Sequence, residues 1–95
     1  MIALSLPDEI SVVELGGSVT TERAIANEWR STQDEPRAST GVVLIYEGRV
    51  YGWKNVLRDP HHECPGVVAV DAAGTMWMAT GGNYEDGALT WVPYG

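Results

Sequence analysis

Five side chains that can bind a metal or move a proton lie within six residues of this sequence. They are Asp59, His61, His62, Glu63 and Cys64. A structural zinc site needs four ligands in a tetrahedron, usually supplied as two spaced pairs of Cys or His. The chain has no second pair of this kind, so a complete zinc site would need distant carboxylates. The sequence therefore predicts no cofactor, with metal binding by this loop left as an alternative.

A catalytic interpretation of the same loop makes Cys64 a nucleophile with His61 or His62 as its base. Neighbouring residues of a loop rarely aim their side chains at one another, and a reactive thiolate needs nearby positive charge. Arg58 supplies some positive charge, but the two acidic residues of the loop oppose it. We therefore favour a polar surface or a loop-ordering role, and we predict no catalytic residue.

A second candidate loop covers residues 81–87, with the sequence GGNYEDG. Phosphate-binding loops of this style carry a Lys and lead into a helix, whereas this one carries Glu85 and Asp86, which would repel phosphate. The loop also lacks the alternating oxygen ligands of a calcium site. The pattern predicts a glycine-bounded hairpin loop that carries Tyr84.

One helix should help to position these loops. The hydroxyl side chains of Ser18, Thr20 and Thr21 can cap a helix, and Glu22 would place a negative charge in its first turn. No breaker follows through Arg30, which predicts about ten helical residues. At 100° per residue, Ile25 and Trp29 share a face with Ala26, and this face should pack on a sheet. Arg23, Asn27 and Arg30 should project together on an exposed face.

Strand patterns cover most of the remaining chain. Residues 9–15 are rich in β-branched side chains and precede two glycines, which predicts an N-terminal strand. Short Gly-containing turns join two pairs of β-rich segments, which predicts two hairpins. Their strands are residues 42–46 with 49–54 and residues 67–71 with 75–80. In the first hairpin, a two-residue turn would pair Ile45 with Val50 and Leu44 with Tyr51.

The predicted fold class is therefore α+β, with an antiparallel sheet of about five strands packed against one α-helix. The sheet would consist of the two hairpins and the N-terminal strand, and residues 89–92 could add a short edge strand. A sheet with one apolar face needs a cover, and the helix can supply it. Ninety-five residues suffice for one core, so we predict a single domain, residues 1–95.

The aromatic residues comprise four Trp and four Tyr with no Phe, so each ring also carries a polar group. Such residues are favoured at protein interfaces. Strand alternation predicts that Tyr51 and Trp53 share one face, and that Trp77 lies opposite to Met76 and Met78. Because one helix covers only one face, the other is either an aromatic and Met surface for binding or a face covered by loops. Both alternatives stay open from the sequence.

Charge and composition narrow the range of partners. A formal net charge of −7 repels nucleic-acid phosphates, so direct nucleic-acid binding is not expected. The longest apolar runs are far too short to cross a bilayer, so no membrane partner is expected. A single cysteine and the absence of a leader-like segment predict a cytoplasmic protein.

These features favour a small acidic protein-binding module over an enzyme. In size, acidity and lack of motifs, the chain resembles small phage and mobile-element proteins that inhibit host nucleic-acid machinery, including anti-CRISPR proteins. The resemblance implies an inhibitor whose protein partner presents a basic surface, and a homodimer is a further option. The alternative is a small enzyme or a metal- or ligand-binding protein that uses residues 61–64. The predicted binding residues are Arg58, Asp59, His61, His62, Glu63, Tyr84, Glu85, Asp86, Trp53 and Trp77.

Overall fold

The computed structural model describes the backbone of residues 18–95 and the side chains from Glu22 onward. The strand predicted for residues 9–15 lies outside the described residues. One helix, α1, is followed by five strands, with a short 3-10 turn at Pro60–His62 between the second and third. The elements are α1 Ser18–Ser31, β1 Val42–Tyr46, β2 Arg49–Lys54, β3 Val68–Asp71, β4 Met76–Thr80 and β5 Thr90–Pro93.

The strands form one antiparallel sheet in the order β2-β1-β3-β4-β5, and α1 packs against it. The predicted α+β class is confirmed, and so are both hairpins. In the described part of the chain, the fifth strand is the C-terminal β5. No helix in this part is long and apolar enough to cross a membrane.

The helix is longer than predicted at its N-terminal end. It begins at Ser18, so Thr20 and Thr21 lie inside it, and Glu22 falls beyond its first turn. Nothing between Ser18 and Glu22 breaks a helix, which explains why it extends back to the residue after Gly17.

A β-bulge in the first hairpin changes which side chains share a face. Ile45 pairs with Val50 as predicted, but Leu44 pairs with Gly52, and Tyr51 is the extra residue. The extra residue shifts the alternation by one. As a result Trp53 packs on the helix side of the sheet, whereas Tyr51 reaches Glu63 on the opposite side. The prediction that Tyr51 and Trp53 share a face is wrong for this reason.

Asp71 organises the turn of the second hairpin. The amide of Gly74 donates to the carbonyl of Asp71 at 3.0 Å. The Asp71 carboxylate also accepts the amides of Ala73 and Thr75, at 3.0 and 2.8 Å. A short side chain that bonds to its own turn stabilises that turn locally.

The helix side of the sheet holds one apolar cluster. Ala26 is fully buried there, and Ile25 and Trp29 pack against it while remaining partly exposed. The predicted packing face of α1 is thus confirmed. The buried members of the cluster are Ala26, Val43, Ile45, Val68, Val70 and Met76.

Arg30 does not lie on an exposed helix face, contrary to the prediction. It is only 7% exposed, and its guanidinium donates hydrogen bonds to four backbone carbonyls. The acceptors are Arg37, Thr40, Gly41 and Val70. The end of α1 meets the connection to β1 here, and the carbonyls of that connection need donors. The long side chain of Arg30 satisfies them, which helical periodicity alone does not reveal.

The opposite face of the sheet has its own apolar cluster and a cover made of loops. Residues that pack on it from the connections include Leu57 and Cys64, together with Trp77 and Trp91 from the strands. Trp77 does lie opposite to Met76 and Met78, which face the helix side. Of the two alternatives left open by the sequence, the structure therefore shows the face covered by loops.

Candidate functional site

Lys54, at the end of β2, closes the connection that leads to β3. Its ammonium group donates to the carbonyls of Arg58 and Asp59, at 2.8 and 3.1 Å, and forms an ion pair of 2.9 Å with Glu63. Both side chains of the ion pair are buried. The Tyr51 hydroxyl donates to the second oxygen of the Glu63 carboxylate. Glu63 is therefore a structural residue of the loop and offers no free charge to a partner.

The same connection carries the 3-10 turn Pro60–His62. It starts after Asp59, which has a left-handed backbone with φ of 52°. Arg58 bonds the Asp59 carboxylate at 2.6 Å, and this hydrogen bond lowers the pKa of Asp59. His61 and His62 are both exposed, with ring centroids 4.3 Å apart. The turn thus presents two imidazoles to solvent. The ion pair between Arg58 and Asp59 lies just before it, and the two charges of this pair neutralise each other.

The loop at residues 81–87 is organised by Asn83. Its side-chain oxygen accepts the amides of Glu85 and Asp86 at 2.9 and 2.7 Å. The backbone of Asn83 also exchanges two hydrogen bonds with Gly87. Tyr84, at the tip, remains 73% exposed. These bonds hold the tip in one shape while leaving its ring and its acids in solvent.

The two loops are joined directly through their backbones. The amide of Ala88 donates to the carbonyl of Glu63 at 2.8 Å. Gly87 packs so closely that a Cβ atom there would lie 1.9 Å from the His61 carbonyl oxygen, and its φ is 91°. Only glycine fits this position. The indole of Trp91 also donates to the Arg58 carbonyl at 3.2 Å.

We call the surface formed by residues 58–66 and 81–89, together with Tyr46 and Tyr51, the two-loop face. Tyr46 links its parts, because Tyr46 and Cys64 line the same cleft, and Tyr84 also lies close enough to the Tyr46 hydroxyl to shift its pKa. The contact with Tyr84, then burial and Cys64, raise the pKa of Tyr46. Burial, followed by the bond to Glu63, raises the pKa of Tyr51. Both phenols are therefore neutral at physiological pH.

Beside these phenols lies an open cleft of about 380 Å³, which we call the Cys64 cleft. It is lined by Tyr46, Arg49, Tyr51, His62, Glu63 and Cys64. Its lining is mainly apolar, and Arg49 and His62 stand at its exposed rim. A cleft of this size falls within the lower range of small-ligand sites.

Most of the predicted binding residues are brought together on the two-loop face. Eight of them belong to the two loops: Arg58, Asp59, His61, His62, Glu63, Tyr84, Glu85 and Asp86. Trp77 lies beneath the loops as a partly buried member of the apolar cluster. Trp53 is not part of this face. It packs on the helix side, where its indole donates to the Thr40 carbonyl at 2.8 Å and Arg37 lies 5.7 Å above its ring.

Sequence reasoning missed three contributors to this site. Lys54 organises the first loop, Tyr46 links it to the second, and Leu89 adds an apolar side chain that is 74% exposed. The combination of a Lys at a strand end and a Glu nine residues later was visible in the sequence. It carries no information on distance, so the pairing could not be inferred from it.

Two potentially reactive side chains of the first loop, Glu63 and Cys64, are held by neighbouring residues. Within residues 18–95, no group of three or more His, Cys, Asp or Glu side chains is arranged to hold a metal ion. Cys64 lies beside Tyr46 in the apolar cluster and at the same cleft, and Glu63 is engaged by Lys54 and Tyr51. What the site offers is a set of fixed aromatic and apolar side chains with charged groups around them.

Comparisons with known proteins identify no relative of this chain. No family model matches it, and neither the curated proteins nor the solved structures contain a significant match. The functional argument therefore rests on the residues of the site itself.

Proposed function

We propose that this chain is a non-enzymatic protein-binding module that contacts its partner through the two-loop face. The observation that carries this proposal is the exposure of large side chains on the second loop, which backbone bonds hold in place, and on the neighbouring strand β2. Tyr84, Leu89 and Tyr51 are 73%, 74% and 51% exposed. Their supporting bonds include those of Asn83 and the Ala88 to Glu63 link.

Fixed aromatic side chains favour protein binding for an energetic reason. A partner that buries Tyr84 or Leu89 gains their apolar contact area, and little ordering of the loop is needed at that moment. A flexible loop would lose conformational entropy on binding, which weakens the complex. The two-loop face is therefore suited to anchor a partner by contact.

The partner in this proposal is a protein with a basic surface. Glu85 and Asp86 project beside Tyr84 on an exposed tip, and the whole chain has a net charge of −7. Opposite charges on the two proteins would raise the association rate in a salt-dependent way. Proteins that handle nucleic acid present such surfaces, so an inhibitor of that machinery remains our specific proposal for the biological role.

Two mechanisms of inhibition differ in what they require of the surface. Mimicry of nucleic-acid charge needs a broad acidic patch. Glu63 is buried against Lys54, and Asp59 is paired with Arg58, so Glu85 and Asp86 are the acids of the two loops that remain uncompensated by a basic side chain. This distribution supports steric blocking by the aromatic anchors, with the charge serving to steer the encounter.

The first experiment is an affinity capture from the native host with three baits. These are the parent chain, a variant with Tyr84→Ala and Leu89→Ser, and a control with Val92→Ser. Val92 is exposed on the edge strand β5, where it pairs with Met78, so its side chain lies on the helix side of the sheet and not on the side of the two loops. We expect a partner captured by the parent and the control but lost with the double variant. Equal capture by all three baits would place the interface elsewhere.

The kinetics of the captured partner then separate steering from anchoring. Glu85→Lys with Asp86→Lys should lower the association rate, most strongly at low salt, while Tyr84→Ala should raise the dissociation rate. A charge-matched control, Glu28→Lys with Asp34→Lys, changes exposed acids on the helix and the loop that follows it. Surface plasmon resonance at two salt concentrations measures both rates. If the control slows association as much as the tip variant, only net charge matters, and the tip does not steer the partner.

A further inference from the structure

The Cys64 cleft combines neutral apolar walls with a positively charged rim. Tyr46, Tyr51 and Cys64 form the walls. Glu63 is the only carboxylate among the lining residues, and both of its oxygens are engaged, by Tyr51 and Lys54. The negative charge of Glu63 is thus neutralised by Lys54 within the protein.

Arg49 gives the rim its charge. It is exposed at the start of β2, and no carboxylate within residues 18–95 forms an ion pair with it. His62 lies at the same rim and can donate a hydrogen bond. An anionic group placed there would therefore meet an Arg that is not already neutralised, which favours a carboxylate over an amine.

The volume limits the size of the apolar part of a ligand. At the packing density of protein interiors, about 0.74, a cleft of about 380 Å³ is filled by about 280 Å³ of ligand atoms. A compound of one or two aromatic rings meets this limit. Aromatic rings also pack well against the phenol rings that form the walls.

We propose that the Cys64 cleft binds a small aromatic carboxylate, with its ring against Tyr46, Tyr51 and Cys64 and its carboxylate beside Arg49. This inference is independent of the protein-binding role, because it concerns the chain alone. It assigns to the loop at residues 61–64 a ligand-binding function that needs neither a metal nor a nucleophile.

Three probes of equal size and different charge test the proposal on the full chain at 0.15 M salt. They are naphthalene-2-carboxylate, the corresponding neutral amide and the cationic 2-naphthylmethylamine. Titrations monitored by amide chemical shifts should show the carboxylate binding with a dissociation constant on the order of 1 mM, as expected for a ligand of this size. The amide should bind more weakly and the amine weakest. An amine that binds as tightly as the carboxylate, or no binding by any probe at 10 mM, would refute the proposal.

The single cysteine of the chain locates the bound probe. Cys64 is partly exposed and lines the cleft, so its alkylation by iodoacetamide reports on occupancy. At about 5 mM carboxylate and a dissociation constant of about 1 mM, the alkylation rate should fall about sixfold, since only the free cleft reacts. An unchanged rate at saturation would show that the probe binds elsewhere, and would overturn the assignment.

A matched pair of Arg variants tests the charged rim. Arg49→Gln should weaken binding of the carboxylate about fivefold, as for an exposed ion pair, and leave binding of the amide unchanged. Arg37→Gln removes an exposed Arg on the helix side, over Trp53, and should change neither affinity. Thermal melts of both variants confirm that the fold is intact. If Arg49→Gln binds the carboxylate as the Arg37→Gln control does, the rim does not recognise the anion and the proposal is wrong.

Discussion

Replacing Arg30 with Met removes a buried guanidinium that bonds to four backbone carbonyls. The bonds to Arg37, Thr40 and Gly41 are 2.9, 2.7 and 2.7 Å long and partly buried, and the bond to Val70 is 3.3 Å long and fully buried. They tie the end of α1 and the connection before β1 to the sheet. Met keeps the apolar stem of the side chain but leaves these carbonyls without this donor.

The expected cost follows from the number and burial of these bonds. A net contribution of about 1 kcal/mol for each bond gives about 4 kcal/mol, and relief of the buried charge reduces this to about 3–4 kcal/mol. For a domain of this size, such a loss lowers the melting temperature by roughly 12–30 °C. It also removes a large fraction of a total stability on the order of 5–10 kcal/mol.

Urea unfolding followed by tryptophan fluorescence measures this loss. The matched control is Arg23→Met, on the same helix, where an exposed Arg donates a hydrogen bond of 3.0 Å to the Gly74 carbonyl. We expect the control to lose less than about 1 kcal/mol. Arg30→Lys should fall between the two Met variants, because an ammonium group cannot reach all four acceptors. Equal unfolding midpoints for the two Met variants would refute the role assigned to Arg30.

Three further outcomes are expected. Trp29→Ala should lower the free energy of unfolding, measured by heat or urea, by about 2–3 kcal/mol. This is less than the usual loss for a core aromatic, because Trp29 is only partly buried. An unchanged free energy of unfolding would mean that α1 does not cover the sheet. The Cys64→Ser variant should fold and capture its partner like the parent, because a hydroxyl can replace the thiol next to Tyr46. Loss of capture by this variant would point to thiol chemistry. Burial raises the pKa of Glu22, so its ionisation destabilises the fold as the pH rises from the unfolded-state pKa through the folded-state pKa. Glu22→Gln should therefore raise the free energy of unfolding at pH 7 but not at pH 3. Urea titrations that show the same change in this free energy at both pH values would contradict the prediction.

The network around Lys54 uses several polar groups of the first loop to hold that loop in place. Lys54 forms an ion pair with Glu63 and donates hydrogen bonds to two loop carbonyls. These interactions hold the connection between β2 and β3 in place. A buried pair of this kind contributes little net stability compared with apolar packing, but removal of one partner is costly. The ion pair and its neighbouring bonds give the first loop a defined shape. This loop presents the exposed histidines and supports the second loop, which carries Tyr84.

Local sequence patterns determined the elements of this protein. Glu47 and Gly48 both have positive φ values, as a two-residue hairpin turn requires, and Asp71 bonds within its own turn. These interactions join residues that are close in the chain, so composition and spacing suffice to predict them. The same holds for the apolar face of α1, because helical periodicity is a property of the segment itself.

The tertiary structure alone decided which side chains meet. The bulge at Tyr51 reversed the face of Trp53, because one extra residue changes the parity of a strand and no local pattern marks it. Arg30 is buried because the path of residues 32–41 brings carbonyl groups to the end of α1. Glu63 meets both Lys54 and the amide of Ala88 because two loops converge on one face of the sheet. The contacts of Arg30 join residues between 7 and 40 positions apart, and the geometry of all these contacts depends on how loops and elements pack, which local patterns do not encode.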